Sequence, residues 1–170
     1  MPDPFSQKKK ISVIIPALNE EKLLERLLIQ FDQEIKRKFD LEVIVSDGGS
    51  TDQTIEIANK FSDRVILHKE KFRQNISQGR NAGAKKSLGD VLIFLNADTG
   101  VKDLDFLLSE SLNEIFANSV AAIACPIFIF PDEEKFSDKT FHFFYNNYVR
   151  MLNKYFMGMG RGECHIISRD

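Results

Sequence analysis

The chain has 170 residues, of which 43% are hydrophobic and 28% charged, and its formal net charge at pH 7 is -2. This composition is typical of one globular domain with an apolar core, and it excludes disordered and collagen-like chains. The small net charge gives no general attraction to nucleic acid, so we expect no nucleic-acid partner. Two separated cysteines, no leader-like start and no apolar run near the ~20 residues of a membrane span make the cytoplasm the expected location.

Short apolar runs alternate with stretches of helical spacing along the first hundred residues. The predicted strands are 11–15, 41–45, 65–67 and 91–95. Between them, apolar residues recur every three or four positions, which predicts one helix per interval. Strands that alternate with helices indicate an α/β fold, a mostly parallel Rossmann-like sheet with helices on both faces.

Local signals predict where these helices begin. Asn19 is a plausible N-cap for one helix whose apolar face runs from Leu23 to Ile35. Ser50 and Gln53 resemble a capping box that opens the next helix. The helix over 76–87 contains Gly79 and Gly83, and glycine is unfavourable there, so its backbone is expected to approach a strand or a ligand closely.

The second part of the chain predicts a helix over about 103–118 and an apolar run over 120–130. Pro126 interrupts that run and indicates an edge strand or a break. The aromatic stretch 136–156 is predicted to be helical and has three interpretations: a core helix, an acceptor groove, or a surface lying on a membrane with Arg150 and Lys154 towards headgroups. A last short apolar run covers 164–168.

Polar residues follow three of the predicted strands. These groups are 16–20, 47–50 and 96–98. Right-handed crossovers bring the carboxyl ends of parallel strands to one edge of the sheet, where open α/β folds bind ligands. We therefore expect the three groups to form one site.

The residue types in that site suit a phosphorylated ligand with a metal. Asp47 could accept hydrogen bonds from a base or a ribose, or could serve only the turn. Arg80 could neutralise phosphate oxygens, or could pair structurally with Asp47 or Asp98. Asp98 could hold Mg²⁺ or Mn²⁺, or could cap a turn or helix. The chain has neither GxGxxG after the first strand nor GxxxxGK[ST], which argues against a dehydrogenase or a P-loop enzyme.

Four successive motifs resemble those of family 2 glycosyltransferases in order and spacing. They are Ile11–Glu20 (ISVIIPALNE), Val45–Asp52 (VSDGGSTD), Gly79–Gly83 (GRNAG) and Phe94–Asp98 (FLNAD). The resemblance implies a GT-A fold, a nucleotide-sugar donor, UDP-type favoured, and a divalent metal. It divides residues 11–170 into a nucleotide-binding part, 11–100, and the start of an acceptor part, 101–170. Residues 1–10 are polar and contain two prolines, which predicts a flexible arm before this domain.

The resemblance also assigns roles to individual residues. It implies that Pro16, Ala17 and Glu20 border the nucleoside, that Asp47 contacts the base or ribose, and that Arg80 lies near the nucleotide. The segment Asn96, Ala97 and Asp98 occupies the family's DxD-type motif, with Asp98 matching its last carboxylate. These residues are the predicted nucleotide-sugar site, and Asp98 is the predicted metal ligand.

The chain departs from the family pattern in two respects. Asn96 and Gly48 stand where the family often has Asp. The general base that an inverting transfer requires usually follows the acceptor segment, which places it beyond residue 170 and makes a C-terminally truncated domain the expectation. Glu163 is a weak candidate base within the chain, and His142 and His165 are alternatives for a base or a metal.

The predicted function is therefore an inverting, metal-dependent glycosyltransferase with a glycan, lipid or small-molecule acceptor. A lipid acceptor would place it at the inner face of the membrane. The alternative is a nucleotide-sugar binding module without catalysis. A nucleotidyltransferase is a third hypothesis, but it would require a glycine-rich, basic first loop that 16–22 does not provide.

Overall fold

A computed structural model describes residues 9–70, 72–126, 136–155 and 163–169. Within them, six strands form one sheet in the order β3-β2-β1-β4-β6-β5. The strands are β1 (Ile11–Ala17), β2 (Leu41–Asp47), β3 (Arg64–Leu67), β4 (Val91–Leu95), β5 (Ala122–Ala124) and β6 (Cys164–Ser168). The helices are α1 (Leu24–Leu28), α2 (Gln33–Phe39), α3 (Thr54–Phe61), α4 (Ile76–Lys86), α5 (Leu104–Leu112) and α6 (Phe136–Lys154).

The four strands of the first half are parallel, as predicted. β1 lies between β2 and β4, and β2 pairs with β3 on its other side. β2 and β4 are buried along their whole length, because the sheet is covered on both faces there. Their apolar residues therefore do not alternate with exposed polar ones. β6 pairs antiparallel with β4 and β5, so the sheet is mixed and mostly parallel.

Helices cover both faces of this sheet, which confirms the predicted architecture. On one face, Ile14 of β1 packs with Leu92 and Phe94 of β4 and with Ala84 of α4. On the other face, alternate β1 residues such as Val13 join a larger core. That core receives side chains from α1, α2, α3 and α5 and fixes the sheet edge where the predicted site lies.

The prediction of one helix from Asn19 to Ile35 is wrong. The segment forms two short helices, because Oδ1 of Asp32 accepts hydrogen bonds from the N–H groups of Glu34 and Ile35, both at 2.9 Å, and starts α2. Asn19 is not an N-cap; it lies in the left-handed region with φ 57°. Its side chain is used in a contact between loops instead.

The predicted capping box at Ser50 and Gln53 is also wrong. α3 begins at Thr54, and Oδ1 of Asp52 accepts from the Thr54 N–H at 3.0 Å. A reciprocal capping box does occur at Asn75 and Gln78, at the start of α4. Its two hydrogen bonds measure 3.0 and 2.8 Å.

The glycines of α4 allow this helix to lie directly on β1, as expected. A Cβ at Gly83 would lie 2.3 Å from Cγ2 of Ile14, and one at Gly79 would lie 3.0 Å from Cβ of Pro16. A larger residue at Gly83 would push α4 off the sheet. The close approach is therefore to a strand, and it positions Arg80 near the end of β1.

The second half follows the predicted order. Asp103 caps α5 by accepting from the Phe106 N–H at 2.9 Å, and the chain continues from α5 into a π-helical turn, Asn113–Ala117. β5 is an edge strand of the sheet, whereas 127–130 lies outside the described residues.

α6 confirms the predicted aromatic helix as far as residue 154. Much of its large apolar surface is exposed, which contradicts the core-helix interpretation for those side chains. The exposed residues are Phe141, Phe143, Phe144, Tyr148 and Met151. Within the part of the chain that the structure describes, no helix is long and apolar enough to cross a membrane.

Only the last two residues of the predicted arm at 1–10 are described. The backbone N–H of Lys10 donates to Oδ2 of Asp90 at 3.0 Å, and Nζ of Lys9 lies 5.0 Å from the ring centroid of Phe116. The division of the chain into an arm, a nucleotide-binding part and an acceptor part stays a prediction.

Candidate functional site

The carboxyl ends of β1, β2 and β3 meet at one edge of the sheet. Ala17 lies opposite Asp47 in the parallel register, and its carbonyl accepts from the Gly48 N–H at 2.9 Å. The His68 N–H donates to the Asp47 carbonyl at 3.0 Å. These bonds continue the hydrogen-bond pattern of the sheet beyond the strand ends. They therefore fix where the loops after β1, β2 and β3 begin.

Only one of the two carboxylate oxygens of Asp47 accepts hydrogen bonds. Its Oδ2 accepts from the N–H groups of Gly49 and Ser50, at 2.9 and 3.0 Å. Its Oδ1 is buried without a hydrogen-bond partner, in a residue that is only 1% exposed. Asp47 therefore does stabilise the turn. Its second oxygen is still a buried acceptor, and a hydrogen-bond donor from a ligand would offset the free-energy cost of burying it.

The loops after β1 and β2 are held together by side-chain to backbone bonds. Oδ1 of Asn19 accepts from the Thr51 N–H at 2.9 Å, and the Asn19 N–H donates to Oγ of Ser50 at 2.9 Å. The Glu20 N–H donates to Oγ1 of Thr54 at 2.8 Å. The left-handed backbone of Asn19 makes this arrangement possible, so Ala17, Glu20 and Asp47 keep their relative positions.

A pocket of about 370 Å³ opens beside Asp47. Its lining residues come from the loops after β1, β2 and β3: Leu18, Asn19, Gly48, Gly49, His68, Glu70, Phe72 and Arg73. The Phe72 ring is 81% exposed and forms part of the wall. Asp47 is not itself among the lining residues, but it directly precedes Gly48, which is. An exposed aromatic ring in the wall suits a flat partner such as a nucleobase.

His68 shapes this pocket from within the loop after β3. Its Nε2 lies 2.6 Å from the Phe72 carbonyl, which requires the proton on that nitrogen. Nδ1 is then an acceptor, and Nε2 of Gln74 lies 3.4 Å from it. The Gln74 side chain also packs beside Gly79, where a Cβ would lie 3.1 Å from Oε1 of Gln74. Gln74 therefore links His68, in the pocket wall, to helix α4.

Arg80 and Asn96 meet at a second part of the same sheet edge. Nη2 of Arg80 donates to Oδ1 of Asn96 at 2.8 Å, and the Asn96 N–H donates to the Glu163 carbonyl at 3.1 Å. Burial lowers the pKa of Arg80, while the charge of Glu163 acts in the opposite direction. A half-buried guanidinium in this position can bind phosphate oxygens.

Glu20, in the loop after β1, lies close enough to the predicted metal motif for its charge to interact with that of Asp98. Burial raises the pKa of Glu20, and the charges of Asp98 and Asp52 raise it further. Asp98 itself is exposed, and it is not among the residues that line the pocket beside Asp47. Asp47 and Asp98 therefore lie on two parts of one sheet edge, with Glu20 between the loops that carry them.

The protein oxygens at this edge suit a metal ion that is bound partly by the protein and partly by a phosphorylated ligand. Among the described residues, no group of three or more His, Cys, Asp or Glu side chains is arranged to bind a metal alone. Mg²⁺ in nucleotide sites commonly takes one or two carboxylates and completes its shell with phosphates and water. Asp98 offers one exposed carboxylate at the strand end, which fits this mode, and the metal would supply positive charge to a diphosphate.

Glu163 and His165 both lie beside Arg80. Glu163 is half-buried directly before β6, and burial followed by the charge of Arg80 lowers the pKa of His165. His142 is buried, 7% exposed, in α6. The role of Glu163 as a base stays a prediction, because a base is defined by its reach to an acceptor hydroxyl.

Sequence reasoning missed His68, Phe72 and Arg73, which line the pocket. They belong to the loop between β3 and α4, where no residue was predicted to be functional. The available signal was position, because this loop leaves a parallel strand at the same edge as Asp47.

The comparisons with known proteins agree with this geometry. A model of the family described as Glycosyl transferase family 2 matches residues 12–169. Validoxylamine A glucosyltransferase of Streptomyces hygroscopicus subsp. limoneus is 36% identical over 104 residues, which are 59% of this chain and 22% of that protein. A PGL/p-HBAD biosynthesis glycosyltransferase of Mycobacterium tuberculosis is 35% identical over 56% of this chain and 38% of its own length. This chain thus spans well under half of the curated relatives that it matches.

Two solved structures share the fold. The mannosyltransferase PcManGT from Pyrobaculum calidifontis, in complex with GDP-Man and Mn²⁺, has a TM-score of 0.70 at 24% identity, covering 99% of this chain and 47% of that one. Glucosyl-3-phosphoglycerate synthase from Mycobacterium tuberculosis, with Mn²⁺ and UDP-Glc, has a TM-score of 0.63 at 19% identity, covering 95% and 56%. These similarities identify the fold as GT-A. The match over residues 12–169 shows that the chain belongs to glycosyl transferase family 2.

Proposed function

We propose that the protein transfers a sugar from a nucleoside diphosphate sugar, UDP-type favoured, to an acceptor, with Mn²⁺ or Mg²⁺ bound. The observation that carries this proposal is the spare buried oxygen of Asp47 beside a pocket of about 370 Å³. A nucleobase or ribose supplies the missing donor. Solved structures of similar proteins support a nucleotide-sugar donor, since their complexes contain GDP-Man, UDP-GlcNAc and UDP-Glc.

We assign the parts of the donor to the loops in their order along the edge of the sheet. The nucleoside occupies the pocket against Ala17 and Asp47, with Pro16 and Glu20 at its border. Arg80 is bonded to Asn96 at the end of β4, where its charge can meet the diphosphate. Asp98, next to Asn96 and Ala97, would hold a divalent metal, which would supply positive charge to the diphosphate. Arg80 stabilises the negative charge that develops on the leaving diphosphate.

An inverting transfer also requires a base that takes the proton of the acceptor hydroxyl. Glu163 is the candidate among the described residues because it lies beside Arg80 at the far side of the site. The acceptor is proposed to approach from the side of α6, whose exposed aromatic rings suit a glycan, a lipid or another apolar-faced molecule. The proposed location is the cytoplasm, at the inner face of the membrane if the acceptor is a lipid.

The alternative is a nucleotide-sugar binding module without turnover. Both functions require the donor site. Only the enzyme also requires an acceptor site and a general base. Binding experiments therefore test the common part, and turnover separates the two.

The experiment is a thermal-shift screen of UDP-, GDP-, CDP- and dTDP-sugars with Mn²⁺, followed by assay of donor hydrolysis and transfer. A ligand that binds only the folded state raises Tm by an amount that grows with the ratio of ligand concentration to Kd, so no acceptor is required. We expect one nucleotide class to raise Tm more than the others. Turnover supports the enzyme, binding without turnover supports the module, and no shift with any nucleotide sugar contradicts both.

A further inference from the structure

The two cysteines of the chain lie opposite each other on neighbouring antiparallel strands. In the register of β5 and β6, Ile123 faces Ile166 and Ala124 faces His165. The next step along both strands brings Cys125 opposite Cys164. Their Sγ atoms lie 3.0 Å apart, and both thiols are free.

We propose that Cys125 and Cys164 form a reversible disulfide modification site, oxidised by a low-molecular-weight disulfide such as oxidised glutathione. Facing residues of an antiparallel pair have Cα atoms roughly 4.5–5.5 Å apart, a spacing that disulfides accept. The sulfurs have to close by only about 1 Å to reach the bonded distance. Both strands therefore keep their places when the bond forms.

The surroundings give the two thiols different roles. Cys125 is half-buried and lines a cleft of about 200 Å³ between β5 and α6, whereas Cys164 is only 4% exposed. Arg150 lines the same cleft and offers a positive charge to an anionic disulfide. A reagent thus meets Cys125 first.

The hydrogen bond between the thiols favours the same order. It lowers the pKa of Cys125, and together with burial it raises the pKa of Cys164. The thiolate is the nucleophile in disulfide exchange, so Cys125 is the attacking group. Cys164 is then the resolving thiol.

The exchange balances in two steps. The Cys125 thiolate attacks one sulfur of the small disulfide, forms a mixed disulfide and releases one thiolate, which takes up the proton that Cys125 lost. The Cys164 sulfur then attacks Sγ of Cys125, breaks the mixed disulfide and releases the second small thiol with the Cys164 proton. The protein loses two electrons and two protons, and one small disulfide becomes two thiols.

The site is adjacent to the candidate donor site without forming part of it. Cys164 directly follows Glu163, whose carbonyl accepts from the Asn96 N–H at 3.1 Å. It also pairs with Leu95 at the end of β4. The disulfide would tie the edge strand to the strand that contacts the predicted metal motif.

The test uses the full chain, reduced and then treated with excess oxidised glutathione. Free thiols are counted by alkylation under denaturing conditions and by intact mass. We expect two alkylated thiols before oxidation and none after it, with a mass lower by two hydrogen atoms. A linked peptide pair should contain Cys125 and Cys164, and Tm should rise on oxidation and return with dithiothreitol.

Two variants provide the controls. Cys125→Ser removes the half-buried thiol and should abolish both the linkage and the Tm response. Cys164→Ala should stop the reaction at a glutathione adduct on Cys125. Two free thiols in the oxidised wild type, a stable adduct that Cys164 does not displace, or linkage only between chains would each overturn the proposal. None of these results depends on nucleotide-sugar binding, so they are independent of the proposed function.

Discussion

Arg80 and Asn96 are joined side chain to side chain, with Nη2 of Arg80 donating to Oδ1 of Asn96 at 2.8 Å. The bond connects α4 to the segment after β4, which are 16 residues apart in the chain. Because the acceptor is a neutral amide, this bond orients the guanidinium without neutralising it. An Asp at position 96 would do both, so the departure from the family motif favours a charge that remains available to phosphate.

Replacing Arg80 with Lys should therefore weaken diphosphate binding selectively. Lysine keeps the charge but loses the fork that can hold Asn96 and a phosphate together. We expect UDP affinity to fall about tenfold, or about 1.4 kcal/mol, with uridine affinity unchanged. Isothermal titration of both ligands measures this. Lys85→Ala, an exposed change on the same helix, is the matched control and should alter neither affinity. Equal losses for UDP and uridine would place Arg80 outside the phosphate site.

Asp47→Ala should weaken nucleoside binding even without metal. The change removes the spare Oδ1 and also leaves the Gly49 and Ser50 N–H groups without their acceptor. Loss of one buried hydrogen-bond partner costs about 1–3 kcal/mol, so uridine affinity should fall by at least fivefold. Asp47→Asn tests the ligand contact with less damage to the loop. Glu56→Gln, on the exposed side of α3, is the control, and unchanged uridine affinity in both Asp47 variants would remove Asp47 from the site.

Glu20 gives a pH dependence of stability with a definite sign. Its pKa is raised in the folded protein by burial, then by Asp98 and Asp52, so the folded state disfavours the ionised form. Below the ordinary value of 4.5 the group is protonated in both states and costs nothing. As pH rises from there through the raised folded pKa, the folded protein loses stability relative to the unfolded chain.

Glu20→Gln should therefore raise Tm at pH 7 and leave Tm unchanged below the ordinary pKa of the carboxyl. Thermal denaturation of both proteins across this range is the measurement. Glu21→Gln is the neighbouring control. A gain for Glu20→Gln that is equally large in acid would show that the effect does not come from ionisation.

The elements that depend on continuous apolar sequence were predictable, and those that depend on contacts between loops were not. β2 and β4 follow directly from runs buried on both faces. Asn19 has a helix-capping residue type, yet its side chain accepts from Thr51, which lies 32 residues away. A single sequence cannot show that a distant backbone competes for the same oxygen.

The candidate site likewise contains residues that the sequence could predict and residues that it could not. Residues at strand ends were brought to one edge as expected, because parallel topology alone places Asp47 and Asn96 there. The wall formed by His68 and Phe72 was missed because its shape comes from a hydrogen bond within the loop. The pairing of Cys125 with Cys164 was missed too, since it requires β6 to be inserted between β4 and β5.

The account depends on Asp47 and Asp98 serving two ends of one ligand, and Mn²⁺-dependent UDP affinity tests this most directly. Asp98 is exposed, so Asp98→Ala should fold normally, with a Tm no lower than that of the wild type as the check. In the wild type, Mn²⁺ should tighten binding of UDP but not of uridine. In Asp98→Ala that enhancement should disappear while uridine affinity stays the same. An Asp98→Ala protein that binds UDP with the full Mn²⁺ enhancement would contradict the account.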